Sequence, residues 1–292
     1  MMPLSMDITA PEWRSVWLHP LAVRLTARQT GGDYPPDPVW LKDVLMPALP
    51  VGFQPAYELK QAEGQVQADL LRGGQVSISS QTTTSGEVSL IFSGAENERF
   101  YGFGEWFNGF ARRQGRLKLR NLETPAVLQG RQTYSNIPYF ISSRGYAAFL
   151  LNSRPANITI TPGGGLRADF PDGGADLILI SGQDFKQLVD VYTQLTGRPP
   201  LLPRWAFGLW VTSYPQEKQE RVEEIAEQHR QRSIPLDAII LDYHWEEKFH
   251  NFRWRPSLFN DPAAMIASLK ERGIRTSLIF TPFVNKRNDW LK

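Results

Sequence analysis

The sequence predicts an antiparallel β-sandwich followed by the opening units of a parallel (β/α)8 barrel. Three observations carry that expectation. Short runs of alternating apolar and polar residues, separated by Gly, Pro, Asn and Asp clusters, fill residues 1–185. A stiff connector follows, Gly197-Arg198-Pro199-Pro200-Leu201-Leu202-Pro203. Beyond it, strand and helix patterns alternate, which implies a parallel sheet with right-handed crossovers. The boundaries read from this are 1–196 for the sandwich, 197–204 for the connector and 205–292 for the barrel portion.

In the first region the alternating runs are Val23-Arg24-Leu25-Thr26-Ala27, Gln65-Val66-Gln67-Ala68-Asp69-Leu70, Gln75-Val76-Ser77-Ile78-Ser79, Val88-Ser89-Leu90-Ile91-Phe92 and Asn157-Ile158-Thr159-Ile160-Thr161. A small closed barrel is the competing arrangement; the even spacing of strands and turns favours a sandwich. Residues 184–195 then place Phe185, Leu188, Val189 and Tyr192 at helical spacing. After the connector, residues 206–211 read as a short apolar strand. Residues 217–232 read as an amphipathic helix with Val222, Ile225 and Ala226 on one face. A second strand lies within 236–245, and a loop rich in aromatics leads to a helix. There Asp261 is the expected N-cap, Pro262 fits the first helical position, Met265, Ile266 and Leu269 form the buried face, and Gly273 ends the helix. Residues 276–280 are the third strand, expected to be buried. Two and a half units occupy about 90 residues, whereas a complete barrel needs about 250. The barrel is therefore expected to be truncated after its third strand.

Composition excludes several function classes. Apolar residues make up 41% of the 292, enough for a core. The net charge is +2 with no Lys/Arg cluster, so no nucleic-acid partner is expected. No cysteine is present, which removes disulfide and thiolate chemistry. The N-terminus has no basic segment followed by an apolar core, and no apolar run reaches the ~18–20 residues of a membrane span. No membrane partner and a cytoplasmic location follow as expectations. Aromatic content is 12%, with nine Trp, a composition common among carbohydrate-handling proteins.

Two motifs invite other chemistries. Tyr101-Gly102-Phe103-Gly104-Glu105 resembles a nucleotide loop, but the third glycine, Gly109, is misplaced and no helical pattern follows. Glycines easing a tight turn between strands fit better. His244 and His250 bracket Glu246 and Glu247 without the spacing of a zinc helix or a third ligand. No cofactor or metal is expected.

The stretch Leu236-Asp237-Ala238-Ile239-Ile240-Leu241-Asp242-Tyr243-His244-Trp245 carries the functional reading. Its apolar centre suits a strand buried on both faces. Its C-terminal end is where α/β barrels keep their chemistry. Asp242 is the first polar residue past that centre, and a carboxylate beside aromatic rings suits the hydroxyls and C–H faces of a sugar. Asp242 either contacts substrate or caps the next loop. Asp237, at the other end and on the opposite face, is a structural residue.

Five stretches in register resemble glycoside hydrolase family 31, the α-glucosidases and α-xylosidases. They are Tyr101-Gly102-Phe103-Gly104-Glu105; Asn136-Ile137-Pro138-Tyr139-Phe140-Ile141-Ser142; Gly197-Arg198-Pro199 with Pro203-Arg204-Trp205-Ala206-Phe207-Gly208-Leu209-Trp210; the Asp242 stretch; and Phe252-Arg253-Trp254-Arg255-Pro256 with Phe259-Asn260-Asp261-Pro262. The resemblance runs from about residue 90 to the C-terminus. It implies a galactose mutarotase-like sandwich before the barrel, and retaining hydrolysis of α-glycosides by two carboxylates. In the family both carboxylates lie on later strands, so no catalytic residue is assigned here. The resemblance makes Asp242 a hydroxyl-binding residue of the subsite that holds the sugar being cleaved. It places Glu123, less securely, on a sandwich loop over the barrel mouth, where relatives carry the shorter Asp. Tyr243 and Trp245 complete the expected substrate contacts. Trp245, Phe249 and Trp254 are either sugar-facing or loop packing, and apolar Ile279 replaces a subsite wall that relatives build from Trp or a polar residue.

The expected partner is an α-linked oligosaccharide or α-glycoside, and the chain alone is expected not to hydrolyse it. The alternatives are a non-catalytic carbohydrate-binding protein and the N-terminal part of a split enzyme whose second chain carries the rest of the barrel. An aldose mutarotase would need a His and a Glu facing one sheet, and the first 185 residues hold only His19.

Overall fold

The computed structural model describes residues 11–28, 49, 51–62, 64–83, 86–122, 130, 132–171, 174–215, 218–248, 251–280, 284 and 286. The chain divides into two compact units, residues 1–198 and 199–292.

The described strands of the first unit are β1 (Glu12–His19), β2 (Ala22–Arg28), β3 (Leu59–Ala62), β4 (Gln65–Asp69), β5 (Gln75–Thr82), β6 (Val88–Phe92), β7 (Phe100–Gly104), β8 (Gly115–Leu119), β9 (Asn136–Ser142), β10 (Tyr146–Leu150), β11 (Ala156–Ile160), β12 (Leu166–Phe170) and β13 (Ala175–Ser181). They form two antiparallel sheets, in the orders β1-β2-β13-β10-β9-β7 and β3-β4-β5-β6-β12-β11-β8. Alternation sets the core. Val23, Leu25, Leu177 and Leu179 of the first sheet meet Ile78, Leu90, Ala168 and Phe170 of the second. The expected sandwich is therefore present. The other face of the first sheet is also covered, by helix α1 (Phe185–Thr196), whose Leu188, Val191 and Leu195 pack on Tyr139, Ile178 and Ile180. Covering both faces explains why every residue of β13 is buried. The helical stripe differs from the expected one: Val189 is exposed and Val191 takes its place. At ~100° per residue, Val189 falls a quarter-turn from Leu188, outside the stripe centred between Leu188 and Leu195.

The Tyr101-Gly102-Phe103-Gly104 motif forms strand, not a turn between strands. β7 pairs with β9 across an irregularity between Gly102 and Gly104. A Cβ on Gly102 would sit 2.7 Å from the Tyr139 carbonyl oxygen, and one on Gly104 2.1 Å from that of Ser135. Glycine is required here for close strand approach rather than for a phosphate.

In the second unit a 3₁₀ turn (Arg204–Phe207) precedes β14 (Trp210–Thr212). Helix α2 (Gln219–Gln231), β15 (Ala238–Leu241), helix α3 (Pro262–Glu271) and β16 (Arg275–Leu278) follow. The three strands are parallel in the order β14-β15-β16. Val222, Ile225, Met265 and Leu269 of the helices pack on Ile239 and Leu241. Asp261 caps α3 by accepting from the Ala264 amide at 2.9 Å, with Pro262 in the first turn. Two expectations need correction. Ala206 and Phe207 lie in the 3₁₀ turn, and the first strand starts only at Trp210. Gly208 separates the two, packed so tightly on Asp237 that a Cβ would lie 1.9 Å from its Oδ2. The third strand is not buried: Arg275 is exposed, Thr276 to Leu278 are half-buried, and Ile279 and Phe280 beyond them are exposed. Among the described strands, β16 has β15 on one side only. No described helix is long and apolar enough to cross a membrane.

Candidate functional site

Parallel pairing brings the C-terminal ends of β14, β15 and β16 to one rim. Trp210, Ala238 and Arg275 pair at the start of the strands, and Leu241 pairs with Leu278 near the end. The ladder continues past the strands, with the Ser213 amide donating to Ile240 O at 3.2 Å and the Ile279 amide to Leu241 O at 2.8 Å. Tyr214, Asp242 and Ile279 thus follow the three strands on the same side.

Asp242 is half-buried, in extended backbone, and its carboxylate accepts from the Tyr243 amide at 2.8 Å. It therefore caps the 3₁₀ turn Tyr243–Trp245, one of the two roles the sequence allowed it. Asp237 stands at the opposite end of the strand. Its carboxylate accepts from the Leu209 amide at 3.1 Å, and its own amide and carbonyl bond to Leu209 and Arg275. That is a staple across the strand starts.

The 3₁₀ turn presents three rings differently. Tyr243 is 40% exposed and lies 4.3 Å from the His244 ring, while His244 stacks parallel on the exposed Tyr214 at 5.7 Å. Trp245 is 4% exposed; its indole N–H donates to Ile279 O at 2.8 Å and its ring packs on Trp254 at 5.1 Å. Trp245 ties the turn to the end of β16 and is floor rather than rim. Trp254 continues that packing onto Phe259 at 5.2 Å.

Glu246 is buried. Its carboxylate accepts from the Phe252 amide at 3.0 Å, and its carbonyl accepts from Arg255 Nε at 2.9 Å. These bonds, with the Glu247 amide on Arg253 O at 2.8 Å, fold the segment after the rim and hold Phe252 at a φ of 54°. Glu247 accepts from Asn251 Nδ2 at 3.3 Å. The two glutamates are thus committed to loop structure, and no group of three His, Asp or Glu among the described residues can hold a metal ion. Glu123, Phe249 and His250 lie outside the described residues.

Sequence reasoning missed Tyr214 and Glu246. Tyr214 was hidden because the first strand was set too early, so its end fell at 211 and not at 212. Glu246 enters the sequence reading only with Glu247 between His244 and His250, as a metal motif set aside, and nothing beside it signals its burial.

In the sandwich, His19 is engaged structurally: its Nδ1 accepts from the Leu21 amide at 3.1 Å, and burial pushes its pKa down, opposed by the charge of Asp190. A groove of about 590 Å³ on this unit is lined by Arg120, Asn121, Asn136, Asn152 and Arg154 among others; none of the residues described in its lining is a carboxylate.

Comparison with known proteins agrees with this architecture. Residues 53–158 match the profile of the glycosyl hydrolase 31 N-terminal galactose mutarotase-like domain, and residues 199–291 that of the family 31 TIM-barrel domain. An α-xylosidase of Emericella nidulans is 30% identical over 195 residues, covering 65% of this chain and 25% of the relative. Alpha-glucosidase 2 of Bacillus thermoamyloliquefaciens is 31% identical over 215 residues, covering 72% and 27%. A dextranase of Flavobacterium johnsoniae solved with isomaltotriose superposes with a TM-score of 0.78 at 20% identity, over 98% of this chain and 40% of its own. At that identity the superposition establishes the fold. The chain spans between a quarter and a third of the length of these curated relatives. Two adjoining family domains matched in order, on a sandwich and a parallel α/β sheet of the right topology, establish that the chain belongs to glycosyl hydrolase family 31.

Proposed function

We propose that this chain supplies the hydroxyl-binding part of an α-glycoside site, with Asp242 as the acceptor for sugar hydroxyls. The observation that carries the reading is the position of Asp242, half-buried at the C-terminal end of the central strand of a family 31 barrel segment. Tyr243 forms an exposed aromatic wall, and Trp245 is the buried end of the same 3₁₀ turn. Glu123 is assigned the sandwich loop's contact on the resemblance alone. The names of the relatives favour an α-xyloside or α-glucoside as ligand. The domain limits proposed are 1–196, 197–204 and 205–292.

The family reaction is retaining hydrolysis of α-glycosidic bonds, which needs a nucleophilic carboxylate and a second carboxyl as acid/base about 5–5.5 Å away. The family resemblance puts both carboxylates on later barrel strands, and at the described rim Glu246 and Glu247 are hydrogen-bonded into the loop. Residues 1–292 by themselves are therefore a sugar binder without turnover. Titration with isomaltotriose by calorimetry is expected to show binding, while 4-nitrophenyl α-glucoside and α-xyloside stay intact. Sustained release of nitrophenol by the purified chain contradicts the reading. A second reading, in which another polypeptide adds strands beside β16, is favoured by the exposure of Ile279 and Phe280 at its end.

A further inference from the structure

We propose that the groove of about 590 Å³ on the sandwich binds a small organic anion, a phosphate ester or a carboxylate, through the guanidinium groups of Arg120 and Arg154. The strand register brings these residues together. β8 ends at Leu119, β11 begins at Ala156, and the two residues pair. Arg120 follows the one, and Arg154 lies two residues before the other. Antiparallel pairing therefore delivers both arginines to the same end of the second sheet. In the first sheet Phe149 of β10 pairs with Tyr139 of β9, which sets Asn152 and Asn136 beyond that pair at one end. The groove lies where these two ends meet. Asn121 ties them: its Oδ1 accepts from the Asn136 amide at 2.8 Å and from Asn136 Nδ2 at 2.9 Å. Asn152 Oδ1 accepts from the Arg154 amide at 2.9 Å and fixes the backbone that carries Arg154. Beneath them the lining is apolar, with Leu119, Ala156 and Phe170 all buried.

The hydrogen-bonding groups of the described lining define the ligand. Both arginines are exposed, and neither guanidinium bonds or pairs with another described residue. The side-chain oxygens of Asn121 and Asn152 are already taken by backbone and side-chain amides. Asn136 Oδ1 has no partner but is itself shielded from the surface. What the lining offers is therefore mostly donors: two guanidiniums, the Asn121 amide group and the Ser153 hydroxyl. Donors in excess select a ligand rich in lone pairs. Two positive charges lining one concavity, with no carboxylate in the described lining, raise the local concentration of anions. The planar guanidinium matches the oxygens of phosphate and carboxylate. The apolar floor suits the carbon body of an ester or organic acid and gives nothing to a bare ion. The groove involves neither Asp242 nor the barrel rim, so the proposal stands apart from the functional reading above.

The test is calorimetric titration of the whole chain, at low ionic strength, with glucose 6-phosphate and with glucuronate, beside glucose and inorganic phosphate. Saturable binding of either anionic sugar is expected, the phosphate arm alone marking an ester site and the glucuronate arm alone an acid site. The Arg120→Gln/Arg154→Gln variant is expected to bind that ligand at least tenfold more weakly, with an unchanged circular dichroism spectrum, both side chains being exposed. Amide shifts in nuclear magnetic resonance spectra of the unmodified chain locate the ligand independently of any variant; they are expected at Arg120, Asn121, Asn136 and Arg154. Glucose lacks the anion and reports sugar binding elsewhere. Absence of binding by both anionic sugars overturns the proposal, as does equal affinity of the double variant. So do ligand-induced shifts confined to residues 241–245, or inorganic phosphate binding as tightly as the ester.

Discussion

The two units solve the same problem, covering a sheet, to different degrees. In the sandwich each sheet covers the other, and α1 covers part of the remaining face; Val23, Leu25, Phe140, Leu177 and Leu179 are 0% exposed. In the barrel unit α2 and α3 cover β15, whose Ile239 and Leu241 are likewise 0% exposed, while Trp210 at 37%, Ile279 at 40% and Phe280 at 58% remain open. The two antiparallel sheets close a core between them, with strands as distant in sequence as β2 and β13 paired side by side. A parallel sheet must be covered on both faces, and three strands of three or four residues do not achieve it. The difference leads to the expectation that the sandwich unfolds independently of the barrel unit, whose described sheet edge and strand ends are more exposed.

The largest expected effect separates the two directly. Phe140 meets Phe92, Phe100 and Phe103 at 5.2, 5.7 and 5.3 Å, so Phe140→Ala is expected to cost about 3–5 kcal/mol. In urea it should shift the transition of the sandwich amides, read by hydrogen exchange, and leave that of 238–241 in place. Leu241→Ala should do the reverse. One common transition moved by both substitutions would break the comparison.

A smaller effect probes the staple at the strand starts. Gly208→Ala places a methyl group on the Asp237 carboxylate and forces it off the Leu209 amide. A loss of about 1–3 kcal/mol in the barrel unit is expected, and Asp237→Ala combined with it should add little, because both remove the same contact. Fully additive losses in a denaturation cycle would mean that Asp237 stabilises the fold by another route.

The smallest effect is on the outer face of α2. Hydrogen bonds from Arg230 and then Gln231 hold Glu227 well below the usual carboxylate range, at about 2. A lowered carboxylate pKa contributes stability that is present above the unfolded value and lost as pH falls towards 2. Because Glu227 lies on the solvent side of the helix, water screens the interaction. Glu227→Gln should leave the midpoint at pH 7 within measurement error, and a drop of several degrees there would show that α2 depends on this pair.

Much of this fold was legible because its signals are local. Alternation marked β2, β4, β5, β6 and β11, and Asp261 with Pro262 marked the start of α3. Less legible were features set by tertiary contact. β14 begins after Gly208 because Asp237, just before the chain's next strand, occupies the space beside it; nothing near residue 206 carries that information. The glycines of β7 read as a turn because the approach of β9 is not encoded next to them. At the site, Asp242 was visible as the first polar residue after an apolar strand. The burial of Trp245 was not, since a Trp at a strand end reads equally as rim or floor until its hydrogen bond to Ile279 O is known.

The central claim is that Asp242 grips sugar hydroxyls. Titrating isomaltotriose or isoprimeverose into the chain and into Asp242→Asn, by calorimetry at one pH and salt concentration, tests it most directly. The account predicts saturable binding to the unmodified chain and at least a tenfold weaker affinity for the variant, with the far-ultraviolet circular dichroism of the two superimposable. Equal affinity of both proteins for the sugar that binds would contradict it.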